Sequence, residues 1–224
     1  MYYKFWWEGL DELLQPVPGC DLKYLSKENI SSLKLRHLCY NESVLLVREE
    51  YEVTYKYLQS WEEEEDPCRR GASMVVTGHP GIGMHISLAA VSLLTIVLSR
   101  TPNLNLGKSC FLYYLLFRLL SMKKSVAFQV DDKFLLFHDT GVRLCDISSY
   151  SGQIIPDGTW TLANSHRRFE EPCDAFLNAC KSGCARVVQT ASPLEDKWRL
   201  WEKECDADMY WMDVITLDEL TALG

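Results

Sequence analysis

The chain has 224 residues, which is enough for one α/β domain with an additional N-terminal segment, and its 47% hydrophobic and 24% charged residues are ordinary for a globular protein. The formal net charge of −8 argues against a general binder of the nucleic-acid phosphate backbone. The nine cysteines are scattered without CxxC spacing, which favours reduced thiols in a cytoplasmic or nuclear protein over a zinc site, even at Cys173, Cys180 and Cys184.

The N-terminal segment, residues 1–70, contains one predicted helix. Its first residues, "MYYKFWWEGLDELL", lack the basic and apolar regions of a secretory signal. Helical spacing predicts a helix over residues 44–61 with Ser43 as the N-cap, from the recurrence of Val44, Val47, Tyr51, Tyr55, Leu58 and Trp61. The acidic run 62–66 and Pro67 end this helix, and we interpret the run as a solvated linker.

From residue 72 onward, predicted strands alternate with predicted helices, which favours βαβ units and a largely parallel sheet. The predicted strands are 72–77, 125–130, 159–164, 185–190 and 209–215, with a hairpin centred on 139–141. The predicted helices are 110–122, 173–183 with Gly183 as the stop, 195–205, and one that starts at 216. The apolar run 86–98 has thirteen residues, too few for the ~20 that span a bilayer.

The sequence contains an interrupted phosphate-binding loop. "GHPGIG" at 78–83 begins the pattern GxxxxGK[ST], but Met84 and His85 follow it, and "GKS" occurs at 107–109. Without residues 84–107 the pattern is complete, between a predicted strand and a predicted buried helix. In such a loop, backbone N–H groups cradle phosphates, the lysine reaches the terminal phosphates, and the hydroxyl binds Mg²⁺. The candidate nucleotide-binding residues are Gly78, His79, Pro80, Gly81, Ile82, Gly83, Lys108 and Ser109, with Ser109 as the metal ligand.

We interpret the insertion 84–107 as translated intron. Its 24 codons are in frame, and its residues can be encoded with donor, branch and acceptor sequences at suitable positions. The insertion is expected to separate Lys108 and Ser109 from Gly83, with an apolar helix from about residue 86 following the loop instead. The sequence therefore predicts weak or absent nucleotide binding by this form.

With the insertion set aside, the chain resembles the P-loop NTPase module of Crinkler and retrotransposon-hot-spot (RHS)-type proteins. The resemblance starts near "LLVREEYEVTYKYL" and runs to the end, through "VVTGHPGIG…KSCFLYYLLFRLL", "VAFQ", "WTLANS", "PCDAFLNACKSG" and "VVQTASP…KWRLWEKEC…MYWMDVITLDEL". It implies a three-layer αβα domain over residues 71–224, ATP and Mg²⁺ as ligands, and kinship with the AAA and STAND ATPases. Such proteins often carry a nuclease-like or other effector domain, so a C-terminally truncated member is one interpretation of this chain.

The resemblance also implies a Walker B strand at 159–164, which in the family usually ends in Asp. Here Asn164 takes the acid position, and an amide cannot supply the charge that holds Mg²⁺ and polarises the attacking water. Asp157 precedes the strand, so we do not expect it to substitute. Thr190 and Ser192 resemble a sensor of the γ-phosphate, although a strand end and a helix N-cap explain them equally well.

Other candidate residues are weaker. His138 and Asp139 are more typical of a turn than of a site, and Arg167 and Arg168 of a solvated loop. Trp198 and Trp201 are predicted to pack a helix on the sheet.

Two functions remain open. The first is an ATP-binding NTPase module that uses hydrolysis as a conformational switch, impaired in this form by the insertion and by Asn164. The second is a non-catalytic protein-interaction module on the same fold. A small-molecule kinase is disfavoured because no Arg-rich lid follows residue 130, and neither nucleic acid nor membrane is an expected partner.

Overall fold

The structure is a computed structural model of the chain. It describes residues 10–17, 22–26, 44–63, 72–78, 104–105, 108–148, 155–165, 170–193, 198–213 and 216. Within these ranges no helix is long and apolar enough to cross a membrane. The predicted helix from residue 86 and most of the predicted element at 216 lie outside the described residues.

Eleven strands and four helices occur in the described residues. The strands are β1 Gln15–Pro16, β2 Lys23–Ser26, β3 Val44–Val47, β4 Ser73–Gly78, β5 Leu104–Asn105, β6 Val126–Val130, β7 Lys133–His138, β8 Gly141–Asp146, β9 Thr159–Asn164, β10 Ala185–Thr190 and β11 Asp208–Met212. The helices are α1 Glu49–Glu63, α2 Lys108–Ser121, α3 Asp174–Lys181 and α4 Arg199–Cys205.

The main sheet has seven strands in the order β11-β4-β10-β9-β6-β7-β8. The pairs β11–β4, β4–β10, β10–β9 and β9–β6 are parallel, whereas β7 and β8 form an antiparallel extension. The prediction of an α/β fold with a mostly parallel sheet is therefore confirmed. The strands predicted after residue 72 and the hairpin at 139–141 are also present.

Helices cover both faces of this sheet, as a parallel sheet requires. On one face, α1 and α2 share a core with Met74, Val76 and Leu162. On the other face, α3 and α4 share a core with Val75, Ala163 and Val187. The alternation along β4 shows why its apolar run is continuous: neighbouring residues face opposite helix layers, and all are buried.

The prediction of a helix over residues 44–61 is wrong for its first turn. Val44–Val47 is strand β3, paired antiparallel with β2 and parallel with β5, and the helix begins at Glu49. Leu45, Leu46 and Val47 are all buried, so both faces of the strand are covered, and such a run has no periodicity to separate strand from helix. Acidic residues in the first turn favour the observed helix start.

The N-terminal segment shares its core with the sheet domain. Leu10, Leu25, Leu45 and Tyr51 pack in the same cluster as the buried face of α2. The boundary expected near residue 70 therefore does not separate two hydrophobic cores among the described residues.

The end of α3 confirms the predicted stop at Gly183. Gly183 has φ +73°, and its N–H donates to the Cys180 carbonyl while the Cys184 N–H donates to the Ala179 carbonyl. This pair of hydrogen bonds is a Schellman motif, which places a left-handed residue directly after the helix. The chain continues from this turn into β10, and the carboxyl end of β10 lies at the candidate functional site.

Candidate functional site at the carboxyl edge of the sheet

The carboxyl ends of three neighbouring parallel strands meet at one edge of the sheet. Thr190 of β10 pairs in register with Val76 of β4 on one side and with Asn164 of β9 on the other. The chain leaves β4 toward α2 on one face of the sheet and leaves β10 toward α4 on the opposite face. A crevice between neighbouring strands whose connections diverge in this way is where open α/β sheets bind ligands.

Lys108 and Ser109 open helix α2 at this edge. The Lys108 Nζ donates to the carbonyl oxygen of Gly78, the last residue of β4, at 3.4 Å. The insertion was expected to carry Lys108 away from the loop, but the lysine lies beside the strand that starts the motif. Leu104–Asn105, which is strand β5 near the end of the insertion, pairs with β3. This pairing leads the chain back toward α2.

Asn164, at the end of β9, connects helix α2 to the neighbouring strand β10. Its Oδ1 accepts a hydrogen bond from Thr190 Oγ1 at 2.9 Å and one from Ser109 Oγ at 3.4 Å. The structure thus brings together four residues that the sequence singled out: Lys108, Ser109, Asn164 and Thr190. Ser192, another of the sequence candidates, lies two residues after the end of β10.

Three buried hydroxyl groups near this edge have no hydrogen-bond partner within the described ranges. They are Oγ1 of Thr77, which precedes Gly78, Oγ of Ser165, which follows Asn164, and Oγ of Ser192. The Thr77 side chain is fully buried. Since buried polar groups normally have partners, these three exceptions at the carboxyl ends of the strands are unusual among the described residues.

Sequence reasoning missed the buried amides that support the site. Gln189 of β10 accepts from Trp201 Nε1 and donates to the Glu170 carbonyl, both at 2.6 Å. Gln129 of β6 accepts from the backbone N–H of Cys173 at 3.0 Å. These bonds hold the chain after β9 against the sheet. The sequence did contain a signal for these contacts: β6 and β10 are apolar strands that each include one glutamine. A buried amide needs hydrogen-bond partners.

Lys108 is the electrostatically distinctive residue of the site. Burial lowers the pKa of its ammonium group, and no acidic side chain in the described part of the chain offsets this. Among the described residues it donates one of its three hydrogens, to the Gly78 carbonyl. A partly desolvated cation at the first residue of a helix favours an anionic ligand.

The other sequence candidates do not join the site. His79, Pro80, Gly81, Ile82, Gly83 and the pair 167–168 lie outside the described residues. His138 contacts Asp139 at the end of β7, which pairs with the start of β6 and so lies at the opposite edge. Asp157 precedes β9 and also lies at that opposite edge, so it cannot replace an acid at residue 164.

Cys173, Cys180, Trp198 and Trp201 are core residues. Cys173 and Cys180 are buried in the cluster that holds α3 and α4, and burial raises the pKa of both thiols, that of Cys173 to about 11. Trp198 and Trp201 pack α4 on the sheet in the same cluster, as predicted. No group of three or more His, Cys, Asp or Glu residues suitable for a metal occurs in the described ranges.

Mg²⁺, which the resemblance implies, finds a poor set of ligands here. It prefers carboxylates together with ligand phosphates. The structure supplies the Ser109 hydroxyl and an Asn164 amide oxygen that already accepts two hydrogen bonds. The described residues therefore do not fit a firmly held Mg²⁺.

No protein-family model, curated protein or solved structure matches this chain. The assignment to the α/β class therefore rests on the structure, and the family resemblance stays a prediction from the sequence.

Proposed function

We propose that this chain is an ATP-binding module of the P-loop NTPase class, of the Crinkler and RHS kind, with binding weakened by the insertion and hydrolysis impaired by Asn164. The observation that carries the proposal is the position of Lys108. This half-buried lysine begins a helix at the end of β4, within 3.4 Å of the Gly78 carbonyl and without an acidic partner in the described ranges.

The surrounding geometry supports a phosphate ligand. The first four N–H groups of a helix have no partner within the helix, and they carry its positive dipole end. Lys108 adds a full charge at the same place. Gly78 begins the segment whose backbone would wrap the phosphates.

Asn164 is the reason for proposing impaired hydrolysis. In phosphoryl transfer the protein positions the attacking water and stabilises developing charge, usually with a carboxylate and its metal. An amide supplies neither negative charge nor a proton acceptor of useful strength. ATP bound here would be held without efficient turnover.

ATP titration of the full chain by calorimetry tests the proposal, with Lys108→Met as the variant. We expect measurable binding by the full chain and at least a tenfold loss in the variant, because a charge-assisted hydrogen bond contributes about 1.5–3 kcal/mol. Lys56→Met, on an exposed position of α1, is the matched control and should bind as the parent does. Equal affinities of parent and Lys108→Met would contradict the proposal.

The effect of the insertion is tested with the chain lacking residues 84–107. This form should bind ATP more tightly than the full chain, because five residues then join Gly78 to Lys108 as the motif requires. Sequencing transcripts across this junction tests the intron hypothesis. Retention of the 72 nucleotides in every transcript, and absence of an intron there from related genes, would contradict it.

The second candidate is a non-catalytic protein-interaction module. The hydrogen bonds that Ser109 and Thr190 donate to Asn164 favour it. They occupy the side-chain oxygen at the position of the catalytic acid with partners from the protein itself. Absence of ATP binding in both the full and the shortened chain would favour this function over the first.

A further inference from the structure

We propose that the site binds the polyphosphate as a metal-free anion, so that Mg²⁺ does not raise its affinity. The inference rests on the proposed function and extends it to the form of the ligand. It starts from the atoms that would have to hold the metal.

The first step concerns Asn164. An amide oxygen offers two acceptor positions, and the hydroxyls of Ser109 and Thr190 occupy both. The amide oxygen carries no formal charge, and its two acceptor positions are already used. A carboxylate at this position could accept the same two hydrogen bonds and still have lone pairs and a charge for a cation or its waters.

The second step concerns Ser109. Its only hydroxyl hydrogen is directed to Asn164, so its oxygen could approach a metal through a lone pair. One neutral oxygen is a weak contribution for a cation that dehydrates reluctantly. No carboxylate of the described residues hydrogen-bonds to Lys108, Ser109 or Thr190.

The third step concerns the charge of the ligand. Mg²⁺ neutralises two negative charges of a bound polyphosphate, which weakens the attraction of that polyphosphate to Lys108. The partly buried ammonium is screened less than a surface charge and gains most from the fully charged ligand.

The test measures the affinity of ATP for the full chain by calorimetry, once with MgCl₂ and once with EDTA. We expect equal affinity or tighter binding in EDTA. The variant Asn164→Asp should make binding depend on Mg²⁺ by about tenfold or more, since a carboxylate adds a metal ligand and repels the bare phosphate. Asn178→Asp on an exposed position of α3 adds the same charge away from the site and should leave the ratio unchanged.

The outcomes are distinguishable. ATP affinity that falls about tenfold in EDTA for the parent would overturn the inference and leave the proposed function standing. An Asn164→Asp variant that folds, by its circular dichroism and cooperative unfolding, yet shows no dependence on Mg²⁺ would overturn the role of Asn164. No ATP binding by the parent under either condition would overturn the proposed function and the inference with it.

Discussion

At the scale of single residues, Lys108 shows how a binding site can reduce stability. Its ammonium loses water on folding and gains one bond to a neutral carbonyl. Charged groups placed for a ligand commonly cost the free protein stability. The same residue should therefore weaken the free fold and strengthen the complex.

Replacing Lys108 with methionine should raise the free energy of unfolding without ligand, by about 1 kcal/mol. The lowered pKa means that the unfolded chain holds this proton more tightly, so the penalty is fully present at neutral pH. The penalty is relieved as pH rises from the lowered pKa of the folded state toward the ordinary value of 10.5. Over that interval the difference in the free energy of unfolding between Lys108→Met and the parent should therefore shrink.

Urea unfolding of the parent, Lys108→Met and Lys56→Met at several pH values measures this effect. The Lys56 variant, at an exposed position, should change stability little. A Lys108→Met variant less stable than the parent at neutral pH would show that the lysine stabilises the free fold.

At the scale of secondary-structure elements, the sequence predicts most of what is described after residue 72. The apolar runs there are bounded by turn residues such as Gly183 and the 139–141 turn, so their lengths decide between strand and helix. Residues 44–47 lack such a boundary, because strand β3 is followed after one residue by helix α1. Only the pairing of β3 with β2 and β5, which no local pattern contains, defines it as a strand.

The packing of α1 on α2 depends on Arg118. Its guanidinium pairs with Asp11 at 2.7 Å and Glu52 at 2.9 Å, and its Nε donates to Tyr114 Oη at 3.0 Å. It also lies over the ring of Tyr55, 5.7 Å from the centroid. The Arg118 side chain thus links Asp11 in the N-terminal segment, helix α1 and helix α2.

Arg118→Met should lower the free energy of unfolding by about 1–3 kcal/mol, because Glu52 loses its partner in a half-buried place. Lys181→Met is the matched control, since it breaks an exposed ion pair with Glu204 and should change the free energy of unfolding little. Denaturant unfolding measures both. Equal losses in the two variants would contradict a structural role for the Arg118 cluster.

At the scale of the whole molecule, the site is assembled from segments far apart in sequence. The P-loop pattern predicts Lys108 and Ser109, and the family resemblance points to Asn164 and Thr190. Their convergence follows from strand order, because β10 lies between β4 and β9. The hydroxyl of Thr77, which has no partner in the described part of the chain, and the role of Gln189 could not be predicted, since both depend on side-chain contacts between elements.

The approach of Lys108 to Gly78 also predicts the stability of the shortened chain. Removing residues 84–107 reduces the connection between them from 29 residues to five, which lowers the entropy cost of closing the loop by about 1.5 kcal/mol. Loss of the short β3–β5 pairing acts in the opposite direction. The shortened chain should therefore unfold cooperatively, with a free energy within about 1.5 kcal/mol of the full chain.

Circular dichroism and urea unfolding of both forms measure this difference. A shortened chain that lost its cooperative transition would show that the insertion is part of the folded core.

The close approach of Lys108 to Gly78 has a practical consequence for labelling the protein. A connection whose two ends nearly touch imposes no particular span on what lies between them, so foreign sequence there does not pull the strands apart. The position after Gly83 is thus a suitable point for a genetically inserted fluorophore or affinity peptide. A label inserted between Gly78 and Lys108 would report on whether a ligand binds near these two residues.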